Sequence, residues 1–158
     1  MQKIPITSAG WRRLSEELRH LKAVERPGVI QALVDARAQG EFSESPDCHA
    51  AHEHQSFVEG RIAQLEEIIA CAEVVDADLL SGESIKFGAH IRLLDEETGR
   101  EVTFQIVGMP EADIRAARLS MSAPLARALM GRKAGDIISV AAPGGDRTYE
   151  ILGIRFGH

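Results

Sequence analysis

Two long segments of the chain repeat apolar residues with the spacing of a helical seam. The spacings are 3, 4 and 3 in the first segment and 7, 4, 3, 4 and 3 in the second. Seams of this kind pair with each other, and two of them joined by a short turn predict an antiparallel helical hairpin over residues 1–76. At ~1.5 Å per residue we expect a rod about 45 Å long. The seams comprise Trp11, Leu14, Leu18 and Leu21, then Ala51, Val58, Ile62, Leu65, Ile69 and Ala72.

Residues that end and restart helices mark the tip of this hairpin at about 40–46. Gly40 suits the end of a helix. Ser45 suits the N-cap of the next helix and Pro46 its first position. Within the first arm, Pro27 is expected to kink or briefly break the helix near its preceding residue, because proline lacks a backbone N–H.

After a predicted linker at residues 77–84, apolar residues recur at about every second position instead of every third or fourth. This alternation is typical of β-strands, and one short helix interrupts it. Strands around a single helix predict a small second domain over residues 85–158, so the fold class is α+β. The predicted strands are 85–94, 101–107, 137–142 and 147–156, and the predicted helix is 122–130.

The charge of the chain is concentrated in its first half. Residues 1–78 contain 8 Lys and Arg against 14 Asp and Glu, a balance of −6, whereas the remainder is balanced at 10 and 10. Neither half is the basic body that grips nucleic acid through phosphates, so we expect a protein partner and no direct grip on duplex DNA.

The sequence also predicts a reducing, cytoplasmic setting and no membrane span. No run approaches the roughly 18 apolar residues of a transmembrane helix. The two cysteines, Cys48 and Cys71, are too few for a disulfide scaffold.

Carboxylates are concentrated at the predicted tip, where Glu41 and Glu44 precede Asp47. Such side chains are often solvated turn residues. They are also the oxygen ligands that Mg²⁺ prefers, but two carboxylates on an isolated turn hold the ion weakly. We therefore expect no metal in the free protein, and a magnesium site at Glu41 and Glu44 only if another protein completes it.

A cluster of cysteine and histidine follows the tip. Cys48 and His52 lie four residues apart and could face one metal, but His49 and His54 point in other directions on a helix. Structural zinc sites want four ligands, so this helix is a poor zinc site.

Short motifs in a characteristic order and spacing extend over nearly the whole chain. They are Pro5-Ile6-Thr7, Glu25-Arg26-Pro27, Gly40-Glu41-Phe42-Ser43-Glu44, Glu59-Gly60-Arg61-Ile62, Phe87-Gly88-Ala89, Ile106-Val107-Gly108, Pro124-Leu125-Ala126-Arg127-Ala128-Leu129, Gly135-Asp136 and Pro143-Gly144-Gly145. In this arrangement the chain resembles the Gre family of bacterial transcript cleavage factors, and it is closer to GreA than to GreB.

The resemblance implies a coiled-coil hairpin followed by a domain of FKBP-like topology. In the family, the second domain docks at the rim of the secondary channel of RNA polymerase, and the hairpin enters the channel. The tip carboxylates, here Glu41 and Glu44, then help to hold a second catalytic magnesium ion and its water. The polymerase itself cleaves backtracked RNA, so the expected role is that of an accessory elongation factor and not of an enzyme.

The resemblance also assigns roles to residues outside the tip. Arg37 and His52 are expected near the RNA 3′ end, although each also suits a solvated helix position. Ser122, Ala123 and Pro124 are expected to contact the polymerase, while Pro124 equally suits a plain helix start.

Several departures from the family pattern keep a second function open. The family usually has Asp at Glu41, Asn at Ser45, Tyr at Cys48 and Ser at Ala123, whereas Glu44 matches. An altered tip suggests a non-cleaving paralogue that occupies the channel and modulates or inhibits transcription. A prolyl isomerase or chaperone is a remote third alternative, because few aromatic residues are available for a proline pocket.

Overall fold

The computed structural model describes residues 3–38 and 46–157, which form two compact units. One unit is Trp11–Cys71, and the other combines Met1–Gly10 with Ala72–His158. Across the described residues, no helix is long and apolar enough to cross a membrane. The elements are α1 (Ser8–His20), α2 (Arg26–Ala38), α3 (Pro46–Cys71) and α4 (Pro124–Leu129), with β1 (Ile4–Thr7), β2 (Ala72–Val75), β3 (His90–Asp95), β4 (Glu101–Val107), β5 (Arg118–Ser120), β6 (Ile137–Val140) and β7 (Arg147–Arg155).

The helical unit consists of two antiparallel arms. Lys22 of the first arm faces Glu66 of α3, whereas Arg26, further along the first arm, faces the earlier residue Glu59. Of the predicted seam, Trp11 is 38% exposed, and Ala72 lies in β2 and not in a helix. Leu18, Ala51 and Ile69 are half-buried. The buried residues of the seam are Leu14, Leu21, Val29, Ala36, Cys48, Val58, Ile62 and Leu65.

A π-helical turn precedes the proline of the first arm. The turn spans Leu21–Glu25 and joins α1 to α2, with the N–H of Arg26 donating to the carbonyl of Leu21. Pro27 follows in the first turn of α2, where a missing N–H leaves few helical bonds unmade. The irregularity predicted near Arg26 is therefore a local change of helix type.

Two bidentate ion pairs join the arms. Arg61 donates to both carboxylate oxygens of Glu17 at 2.7 and 2.8 Å, and Arg26 donates in the same way to Glu59. The hydrogen bond from Arg61, aided by its charge, lowers the pKa of Glu17 below the ordinary value of 4.5, although burial opposes the shift. Since the bonds run between two helices, they favour the paired state of the arms.

We expect the Arg61→Gln variant to lose about 0.5 kcal/mol at pH 7, because Glu17 is partly exposed and solvent screens the pair. A carboxylate whose pKa is lower in the folded protein than in the unfolded chain stabilises the fold at pH values above its unfolded pKa. This contribution is lost as the pH falls through the folded pKa. The difference from the unsubstituted protein should therefore shrink below pH 4.5. Urea unfolding between pH 3 and 7 measures it. The matched control is Arg19→Gln, which breaks a pair within one helix; an equal loss in both variants contradicts the prediction.

The second unit is built on a five-stranded mixed sheet in the order β5-β4-β3-β7-β6. Only β4 and β5 are parallel, and the other neighbours are antiparallel. Two residues of α4, Ala126 and Leu129, pack into the core that covers one face of this sheet. The α+β prediction is thereby confirmed. The buried core comprises Ile85, Ala89, Ile91, Leu93, Ile106, Leu119, Ala126, Leu129, Ile138 and Ile151.

A second, two-stranded sheet was not predicted. The helix that was expected to continue to residue 76 ends at Cys71, and the next four residues form β2, paired in parallel with β1. Ile6 of β1 is fully buried. The β-branched residues Val74 and Val75 favour an extended backbone, which explains why the helix stops there.

The end of β1 is fixed by a buried carboxylate. Glu111, only 5% exposed, accepts hydrogen bonds at Oε2 from the N–H groups of Thr7 and Gly108, both at 2.9 Å. Its Oε1 accepts the hydroxyl of Thr7, which itself accepts the N–H of Gly10. This network connects the residues before the helical arms to the loop after β4, although they are about a hundred positions apart in sequence.

Candidate functional site

The predicted acidic tip lies between the ends of the two arms. The first arm is described to Ala38 and the second from Pro46. Glu41 and Glu44, together with Gly40 and Ser45, lie outside the described residues. Their catalytic and magnesium-binding roles therefore stay predictions.

The arms remain packed up to this segment. Ala36 in the last turn of α2 is 8% exposed, and Cys48 in the first turn of α3 is 3% exposed. Cys48 replaces a larger family residue, and a buried cysteine behaves as a small hydrophobe in such a position. The apolar seam thus reaches the last described turn of each arm.

The two residues predicted to lie near RNA flank the same end of the hairpin. Arg37 is exposed in the last turn of α2, and His52 is exposed in the second turn of α3. Both side chains are accessible to a ligand. Solvated positions on a helix surface would look the same, so these two roles stay predictions.

The cysteine and histidine cluster is divided between two faces of α3. Cys48 is buried, whereas His49, His52 and His54 are exposed. Throughout residues 3–38 and 46–157, no group of three or more His, Cys, Asp or Glu side chains is suited to a metal ion.

The predicted polymerase-binding residues form a well-defined turn between β5 and α4. The hydroxyl groups of Ser120 and Ser122 lie 2.8 Å apart, and the N–H of Ala123 donates to the carbonyl of Ser120. Ala123 is the N-cap residue of α4, and Pro124 occupies the first turn. Ser122 and Pro124 are exposed. The turn is therefore hydrogen-bonded and accessible.

A groove of about 520 Å³ opens beside this turn. Its lining is mainly apolar, Met109 is 66% exposed, and Lys3 and Arg127 supply two cations. This composition suits an apolar partner segment that carries acidic residues. Lining residues are Lys3, Ile4, Pro5, Met109, Pro110, Met121, Ser122 and Arg127.

The aromatic residues of this unit do not line that groove. Phe87, Phe104, Tyr149 and Phe156 instead pack against the core of the sheet.

Comparison with known proteins identifies the family. Residues 4–74 match the family model described as "Transcription elongation factor, N-terminal", and residues 80–156 match "Transcription elongation factor, GreA/GreB, C-term". Transcription elongation factor GreA of Acidiphilium cryptum is 59% identical over 99% of this chain and 100% of its own length. The chain belongs to the GreA/GreB family of transcription elongation factors.

Further GreA/GreB relatives are similar over the same length. GreA of Rhodospirillum rubrum is 50% identical over 99% of this chain and all of its own. Among solved structures, GreA factor homolog 1 (Gfh1) of Thermus thermophilus is 26% identical, covers 98% of this chain and 99% of its own, and superposes with a TM-score of 0.45.

GreA/GreB membership makes the chain an accessory transcription elongation factor with RNA polymerase as its partner. Sequence reasoning found the turn at Ser122–Pro124 but missed most of the adjoining groove. Lys3 and Pro5 were assigned to the hairpin domain, and Met109 had no pattern to mark it. The β-branched residues Ile4, Ile6 and Thr7, three of the four residues of the strand, are the signal that could have revealed β1.

Proposed function

We propose that the chain docks at the rim of the secondary channel of RNA polymerase and stimulates the polymerase to cleave backtracked RNA. Membership of the GreA/GreB family supports the partner and the process. The observation that carries the proposal is the pair of tightly packed arms on either side of the segment that contains Glu41 and Glu44. Such arms can present acidic side chains at the end of a packed helical pair.

The tip carboxylates suit a shared magnesium ion. Glu41 and Glu44 offer oxygen donors, which Mg²⁺ prefers, and two of them suffice when another molecule supplies the other ligands. A magnesium ion bound there would activate water and neutralise phosphate charge. The chain's own part is to position these oxygens, while Arg37 offers a guanidinium to the 3′ end of the RNA.

The docking surface in this proposal is the turn at Ser122–Pro124 together with the adjoining groove. The exposed Met109 supplies apolar contact area, and Lys3 and Arg127 attract acidic groups of the partner. Docking and cleavage are then separate properties of separate residues. Variants of the two surfaces are expected to fail in different ways.

The test is RNA cleavage in a backtracked elongation complex over a range of protein concentrations. The Met109→Glu variant places an acidic group in the groove, so it should need at least about tenfold more protein for half-maximal stimulation. At saturation its rate should equal that of the unsubstituted protein. The matched control is Ile114→Glu, because Ile114 is 64% exposed but is not among the groove residues. Equal behaviour of the two variants argues against the groove as the docking surface.

The second candidate function is channel occupancy without cleavage. It is favoured by Glu41, where the family usually has Asp, because one extra methylene moves the carboxylate by about 1.5 Å and catalytic geometry is lost over ~1 Å. Under this alternative the protein slows elongation, and the RNA in a backtracked complex keeps its length. Stimulation that appears only in the Glu41→Asp variant would identify the chain as this kind of paralogue.

A further inference from the structure

A small groove on the outer face of the five-stranded sheet is separate from the docking surface. It has a volume of about 290 Å³ and lies on the central strands β3, β4 and β7. Three of its lining residues carry basic side chains. The lining comprises His90, Arg92, Thr103, Gly153, Ile154 and Arg155.

The strand register brings these side chains together. Thr103, Arg92 and Gly153 form one row across the three strands, and His90 lies opposite Arg155 in the next row. Neighbouring strands are about 4.8 Å apart, so the two arginines come from adjacent strands within reach of one small ligand. The core-facing residues of β3 alternate with them, which places both rows on the outer face.

A β-bulge in β7 is responsible for this alignment. Arg92 lies opposite Gly153, whereas Leu93 lies opposite Ile151, so Leu152 is an extra residue in the strand. Because side chains alternate between the two faces along a strand, the extra residue reverses this alternation for the part of the strand that follows it. Without the bulge, each side chain after Ile151 would lie on the opposite face of the sheet, and Arg155 would point toward the core.

The glycine of this strand leaves room beneath one guanidinium group. A Cβ atom added at Gly153 would lie 4.0 Å from Nη2 of Arg92, so this side chain extends over the glycine. Any larger residue would occupy the floor of the groove. The surface of the sheet is therefore concave at Gly153, because no side chain fills the groove there.

Both arginines retain hydrogen-bonding capacity. Arg92 approaches Glu101 at 3.9 Å, the long limit of an ion pair, and its side chain is 55% exposed. Arg155 donates to the carbonyl of Gly157, which is a neutral group. Since each guanidinium carries five N–H donors, these contacts leave donors for an anionic ligand.

We propose that this groove binds the phosphate group of a small phosphorylated ligand. Two guanidinium groups match phosphate oxygens in a forked geometry, and the Thr103 hydroxyl adds a further donor. The groove volume is just below the range of ordinary small-molecule pockets, about 300–1,000 Å³, so it accommodates one or two phosphoryl groups. The half of the chain that carries the groove is balanced at 10 basic and 10 acidic residues, so it lacks the positive excess that would hold a long nucleic-acid strand there.

The test is a titration of the full chain, without polymerase, followed by amide chemical shifts in NMR. Inorganic pyrophosphate and ADP are the probes, and adenosine is the control without phosphate. Both probes are expected to shift the amide resonances of residues 90–92 and 153–155, and added salt should weaken the binding of both probes. The Arg92→Ala and Arg155→Ala variants should each bind about tenfold more weakly. Arg100→Ala, an exposed arginine in the turn before β4, is the matched control and should bind normally.

Four outcomes overturn the proposal. The first is the absence of shifts in these amides with millimolar pyrophosphate or ADP. The second is equal weakening by Arg100→Ala, which would indicate a general charge effect. The third is adenosine binding as tightly as ADP. The fourth is affinity for a single-stranded oligonucleotide that rises steeply with its length, which does not fit a small phosphate site. Circular dichroism confirms that the variants, all at outward-facing positions, remain folded.

Discussion

Replacing Glu44 with glutamine is expected to reduce stimulated RNA cleavage by at least about 100-fold, because the geometry of a catalytic group is critical within ~1 Å and the amide lacks the negative charge that attracts Mg²⁺. Binding to the polymerase should be unchanged, since the docking surface is elsewhere. The rate of cleavage in a backtracked complex at saturating protein measures the effect. Excess protein should not restore the rate, in contrast to the groove variant.

The matched control is Glu67→Gln, which removes an exposed carboxylate near the other end of α3, far from the tip. It should cleave at the normal rate. Glu41→Gln should fail in the same way as Glu44→Gln, since both carboxylates are proposed to serve one ion. Full activity of both tip variants would remove the tip from the mechanism.

Replacing Glu111 with alanine is expected to lower the free energy of unfolding by about 3 kcal/mol, because three buried donors lose their acceptor. The donors are the N–H and hydroxyl of Thr7 and the N–H of Gly108. For a chain of this size, the midpoint of thermal unfolding should fall by roughly 10 °C. Glu96→Ala, in an exposed turn, is the control and should stay within about 0.5 kcal/mol of the original.

A second variant tests the same anchor without removing the carboxylate. A Cβ atom at Gly108 would lie 2.0 Å from the carbonyl oxygen of Pro5, so Gly108→Ala must displace β1. It should therefore destabilise the protein by at least 1–3 kcal/mol, which is the cost of overpacking. If Glu111→Ala and Glu96→Ala unfold at the same temperature, the buried network does not fix β1.

The long elements of this fold could be predicted because their patterns are local. The seam from Leu14 to Leu21 and its partner on α3 repeat over several turns, and β4 was predicted with its observed bounds. Trp11 continues the same spacing yet is partly exposed. Periodicity identifies the apolar face of a helix, but it does not show how far along the helix another element packs against that face.

The missed elements depend on partners distant in sequence. β1 and β2 have four residues each, and β1 is secured by Glu111, about a hundred positions away. β5 has three residues and gains its register from β4. Segments this short contain too few residues for a period to be recognised, so tertiary contacts decide their structure.

The candidate site could be predicted only as far as the family motifs extend. The turn at Ser122–Pro124 was found through the resemblance. The groove beside it brings together residues near positions 3, 109 and 127, and no local pattern connects them. The outer-face phosphate groove depends on a one-residue bulge at Leu152, which alternation along the sequence does not reveal.

The central claim is that the chain supplies positioned carboxylates and the polymerase performs the cleavage. The most direct test compares one RNA, free in solution with Mg²⁺ and in a backtracked elongation complex, each with and without the protein. The account predicts that the protein shortens the RNA from its 3′ end only in the complex. Cleavage of the free RNA, or RNA of unchanged length in the complex at saturating protein, would contradict it.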